Sequence, residues 1–143
     1  MLTFVQSCNS AYGAQGLALF RSLERHMTGD WRMEWYCLDV ELAQLVRRVT
    51  CRSQEVDGGR CAALIAYQRD SDGAHEHWRI VDQVPGLRAA LALRTGGPWF
   101  WSFASQVTHH AIEANPRDTV VYLDTDTFAF GDFILHSLKF TLG

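Results

Sequence analysis

The chain is built from short apolar blocks whose period switches between strand and helix. Leu2-Thr3-Phe4-Val5-Gln6 is an apolar run that predicts a buried strand. A loop from Ser7 to Tyr12 follows, and Gln15 to His26 then take up helical spacing. Leu19, Phe20 and Leu23 fall on one face of that helix, with Arg21, Glu24 and Arg25 on the other. Gly29-Asp30 breaks the pattern, and Met33 to Leu38 predict a second strand. Asp39 suits an N-cap, and Leu42, Leu45, Val46 and Val49 repeat at i, i+3, i+4 and i+7. An opening of β-α-β-α order predicts a parallel sheet with right-handed crossovers.

The pattern is weaker from Thr50 to Pro98. Cys61 to Tyr67 fits a strand or a buried helical turn, and periodicity alone does not separate the two. Arg69 to His77 is polar and predicts a loop, Trp78 to Val84 a strand, and Leu87 to Leu93 a helix. Thr95-Gly96-Gly97-Pro98 is read as the end of that helix. Phe103, Val107 and Ala111 then mark one face of a late helix closed by Asn115-Pro116. Thr119 to Leu123 is β-branched and aromatic, the pattern of a central strand.

At 143 residues the chain has the length of one domain, and we read 1–143 as a single α/β unit. With 48% hydrophobic and 20% charged residues it can fill a core. A net charge of -3 argues against nucleic acid as the main partner, because phosphate binding needs a concentrated basic surface. No apolar stretch is long enough to predict a transmembrane span, and no basic segment precedes Leu2 to predict a signal peptide. Cys8, Cys37, Cys51 and Cys61 form no CxxC pair, so reduced thiols and a cytoplasmic location are expected.

The candidate chemistry sits at the exit of the last predicted strand, where open α/β sheets bind ligands. Asp124 and Asp126 are two carboxylates one residue apart. Their mutual repulsion favours a hard divalent cation, which can also hold phosphates; no Walker-type loop is present to hold them otherwise. Taken alone, such a pair also serves as two Asx residues shaping a turn.

Val120-Val121-Tyr122-Leu123-Asp124-Thr125-Asp126-Thr127, with Gly131-Asp132 close behind, resembles the metal-site signature of GT-A glycosyltransferases. Tyr12, Gly16 to Leu23 and Trp35 to Asp39 resemble the first βαβ unit of that family, and Trp99-Phe100-Trp101 fits its later aromatic run. The resemblance covers about 1–49 and 98–133. It implies a Rossmann-like GT-A fold and a nucleotide-diphospho-sugar donor, with UDP-sugars favoured. By the same resemblance Asp126 would ligate Mn²⁺ or Mg²⁺, and Asp124 would contact the metal or the ribose. Tyr12 would pack on the base, with Asn9 or Ser7 lending hydrogen bonds. The family often has Asn before that Tyr and a Lys or Arg in the late helix; here Ala11 stands before it and Ser102 to His110 hold neither.

No catalytic base or acceptor is assigned, since in the family these come from sequence after the metal motif, and the acceptor half is expected to be absent from 1–143. The apolar segment Phe128 to Leu142 would then fold back on the sheet or favour self-association. A non-catalytic nucleotide-binding domain shares all these features. Asp124-Thr125-Asp126-Thr127 also resembles the nucleophile motif of haloacid-dehalogenase-type phosphatases, but there it lies on the first strand, ahead of a long chain. His75 and His77 are read as an exposed loop pair, and His109-His110 as partly surface and partly core. His136 follows the motif too early to match the family's histidine ligand.

Overall fold

The computed structural model describes residues 1–50, 63–70, 73–80, 97–129 and 131. Strand β1 (Leu2–Cys8) leads through a short 3₁₀ turn (Ser10–Tyr12) into helix α1 (Gly13–His26). Strand β2 (Trp31–Cys37) and helix α2 (Val40–Thr50) complete the opening β-α-β-α expected from the pattern. Strands β3 (Ala63–Asp70) and β4 (Gly73–Ile80) follow, then helix α3 (Gly97–Ala114) and strand β5 (Thr119–Tyr122).

The strands form one sheet in the order β4-β3-β2-β1-β5. β2 and β5 both run parallel to β1, with Leu2 opposite Trp31 on one side and Thr119 on the other. A three-stranded parallel unit flanked by helices is therefore present, as an α/β reading requires.

The other half of the sheet departs from expectation. β3 runs antiparallel to β2, and β4 antiparallel to β3, with Asp70 opposite Gly73. Cys61 to Tyr67 thus resolves as strand from Ala63 onward, and the loop predicted over Arg69 to His77 is mostly strand. Pairing supplies the reason: a polar sequence beside a paired strand gains a full ladder of backbone hydrogen bonds. Asp70-Ser71-Asp72-Gly73 carries the turn-forming residues of a hairpin. Gly97-Pro98 open α3, while the helix they were expected to close lies outside the described residues. Proline is well placed in a first turn, where its missing N–H has no helical partner to lose. β5, expected to be a central strand, is paired with β1, its one neighbour among the described residues. The strand expected over Trp78 to Val84 is borne out at Trp78 to Ile80, the end of β4; its remainder, the helix expected over Leu87 to Leu93 and the tail after Gly131 lie outside the described residues.

Side-chain alternation along β1 and β2 builds two cores. Leu2, Phe4, Trp31, Met33, Trp35 and Cys37 meet Leu19, Phe20 and Leu23 of α1 and Leu42 and Val46 of α2. Phe20 packs edge-on against both Trp31 and Trp35, with ring centroids 6.1 Å and 6.0 Å apart. Each such pair contributes about 0.5–1.5 kcal/mol beyond area burial. On the opposite face Val5 and Tyr36 meet Val107 and Ala111 of α3.

That second face also carries a buried polar network. Glu34 accepts from Asn115 Nδ2 at 2.9 Å, and Arg32 donates to Asn115 Oδ1. Tyr36 Oη lies 2.6 Å from His110 Nδ1, which gives His110 the core side of its expected position; His109 is exposed beside Glu113. Strand β5 is tied to β1 at its start. Thr119 N donates to Met1 O at 3.0 Å, and Thr3 Oγ1 donates to Asp118 Oδ2 at 2.8 Å.

Candidate functional site

Because β1 lies between β2 and β5 and all three run the same way, their carboxyl ends open at one edge of the sheet. Cys8 and Asn9 leave β1 there, Asp39 leaves β2, and Asp124 follows β5 after Leu123. The charges that converge there act on one another. Burial pushes the Cys8 thiol up from 9.0 to about 12, and the carboxylates of Asp39 and Asp124 add to the rise. Tyr122 is raised from 10.0 by burial; the charges of Asp124 and Cys8 raise it further, against a hydrogen bond from Ser7. These are chemically quiet groups, since a thiol held neutral is a poor nucleophile.

Asn9 caps the 3₁₀ turn, its Oδ1 accepting Ala11 N at 3.1 Å. The turn presents Tyr12 to solvent, with 48% of its surface exposed. Ser7 is buried and its Oγ shares a 3.0 Å hydrogen bond with Tyr122 Oη across the β1–β5 seam. Its hydroxyl therefore already serves the sheet.

Asp124 and Asp126 occupy different settings. Asp124 shapes the chain: its Oδ1 accepts Thr125 N at 2.8 Å and its carbonyl accepts Thr127 N at 3.0 Å, which closes a turn. Asp126 sits inside that turn, is exposed, and makes no hydrogen bond among the described residues. One carboxylate thus takes the turn-shaping role open to either, while the other is left with its oxygens unengaged. Phe128, two residues further on, is also exposed.

Among the described residues no group of three His, Cys, Asp or Glu side chains gathers closely enough to hold a metal ion. Two carboxylates with a phosphate-bearing substrate are nevertheless a normal donor set for Mg²⁺, which keeps waters and takes few protein ligands. The residues present fit that chemistry.

Asp39 has a part at this edge beyond its expected capping role. Its Oδ1 accepts Leu42 N at 2.8 Å, as an N-cap should. Its Oδ2 accepts both Ser10 N at 2.8 Å and Ser10 Oγ at 2.9 Å, which ties the turn that carries Tyr12 to the start of α2. No sequence signal links Ser10 to Asp39, because the bond depends on β1 and β2 lying side by side. His75 and His77 fall on β4 rather than in a loop. No helix among the described residues is long and apolar enough to cross a membrane. In comparisons with known proteins the chain matches no family, no curated protein and no solved structure.

Proposed function

We propose that the carboxyl edge of β1, β2 and β5 binds a nucleotide-diphospho-sugar with Mn²⁺ or Mg²⁺, as the donor-binding part of a GT-A-type glycosyltransferase. The observation that carries this reading is the turn after β5, in which Asp124 lies close enough to act on Cys8 at the end of β1 and Asp126 is exposed, with no hydrogen bond among the described residues. The resemblance suggests the ligand class, and the reading is supported by Asp124 and Asp126 following the carboxyl end of β5 and the exposed Tyr12 following that of β1.

In this reading Tyr12 stacks on the base, and Asn9 keeps the Tyr12 turn in shape. Asp124 fixes the turn and offers its remaining oxygen to the ribose or the metal, and Asp126 is the main protein ligand. A bound divalent cation would neutralise the diphosphate and ease its departure as a leaving group. The sugar acceptor and the base that would activate it are unassigned.

Calorimetry on the 143-residue chain tests the reading. UDP should bind with Mn²⁺ or Mg²⁺ present and bind much more weakly in EDTA, with GDP as the second choice. Asp126→Ala should remove the metal dependence. Equal UDP binding with and without metal would refute the assignment.

A further inference from the structure

We propose that Ser22, in the middle of α1, is a positioning residue for the carboxylate turn, so that α1 sets both the base platform and the metal loop. This rests on the donor-binding reading above. Asp124 to Phe128 form a loop held at both ends. Upstream, Leu123 N donates to Val5 O at 2.8 Å, which locks the exit of β5 to β1. Downstream, Ala129 N donates to Ser22 Oγ at 2.9 Å, a contact between residues 107 apart in sequence. Leu123 and Ala129 are both buried in the α1-side core, whereas Asp126 between them is exposed. With no side-chain partner among the described residues, Asp126 takes its place from the two ends of the loop.

Ser22 is suited to this task by its own bonding. Its hydroxyl proton goes to Leu19 O at 2.7 Å, so the oxygen is left to accept and is fixed in direction. Ser22 and Ala129 are each 3% exposed, which leaves water little access to replace a lost bond. The same helix begins directly after Tyr12. One rigid element therefore carries the aromatic platform at its start and clasps the carboxylate loop from its middle. Groups hydrogen-bonded directly to metal ligands govern metal affinity by about 10–100-fold when removed, and Ser22, acting through the end of the loop, is expected at the low end of that range.

The test compares Ser22→Ala with the unaltered chain, reading Mn²⁺ affinity by electron paramagnetic resonance with UDP present and uridine affinity without metal. Ser22→Ala should weaken Mn²⁺ about 10-fold and leave uridine binding unchanged. Ser22→Cys, slightly larger and a poorer acceptor, should fall between the two; it carries the test if the alanine variant does not fold. A folded variant that keeps Mn²⁺ affinity within twofold overturns the inference, and so does equal weakening of Mn²⁺ and uridine. Failure of the unaltered chain to bind Mn²⁺ through Asp126 removes the donor-binding reading itself, a distinct result.

Discussion

Cys8 and Cys37 sit opposite each other on β1 and β2, both buried and both free thiols. Burial raises Cys37 as well, with Cys8 and then Asp39 adding to the effect. A thiol that stays neutral in the folded chain but ionises near 9.0 in the unfolded one favours folding only below that value. As pH climbs from 9.0 towards about 12 the unfolded state loses protons first, so stability falls across that window. Tyr122 pushes in the same direction from 10.0 upward. Urea denaturation at pH 8.0, 9.5 and 10.5 (values chosen to straddle the onset, on the order of one pH unit apart) should give a falling midpoint. Peptide mapping after brief iodoacetamide treatment at the lowest of these should find Cys8 and Cys37 largely unmodified. A flat midpoint would mean that these thiols are not held neutral by the fold.

Among the elements, α1 shows how a short motif can encode packing. Gly16 lies where a Cβ would come within 2.9 Å of Trp35 Cζ3, 3.1 Å of Gln6 Nε2 and 3.3 Å of Gln6 Oε1. Trp35 and Gln6 are almost fully buried, so neither can yield easily. At Gly13 the neighbours are the terminal methyl groups of Leu42 and Leu45, at 3.1 Å and 3.2 Å, which a small rotation can move aside. Glycine to alanine in a helix ordinarily stabilises by up to about 1 kcal/mol, whereas overpacking a tight core costs about 1–3 kcal/mol. Gly16→Ala should therefore destabilise by about 1–2 kcal/mol in thermal or urea unfolding, while Gly13→Ala should be close to neutral. A stabilised Gly16→Ala would show that α1 stands further from the sheet than described. The helices α1 and α2 were legible in the sequence because their apolar residues repeat at helical spacing. The first part of strand β4 was not, since Gly73, His75 and Glu76 have little apolar content and become strand only by pairing with β3, whereas Trp78 to Ile80 fell within a run expected to be a strand. At the site, Asp124 and Asp126 stood out by their spacing. The bonds of Ser22 to Ala129 and Asp39 to Ser10 did not, because each joins segments that meet only after the sheet has formed.

At the scale of the whole molecule the parallel unit is assembled from the two ends of the described chain, with β5 docking beside β1. Thr3 and Asp118, bonded at that seam, are 115 residues apart in sequence. Closing so long a loop is entropically costly before any contact rewards it, and non-local pairings of this kind slow folding. The β1-α1-β2 segment is local and can form early, but the carboxylate turn has no fixed neighbours until β5 arrives. Refolding should accordingly proceed in at least two steps. Tryptophan fluorescence from Trp31 and Trp35 should recover first, and competence to bind Mn²⁺ with UDP should appear only in the slower step. Binding competence that returns together with the fluorescence would mean that β5 pairs early. Ligand present during refolding should then act as a trap, capturing only chains whose last strand is already in place.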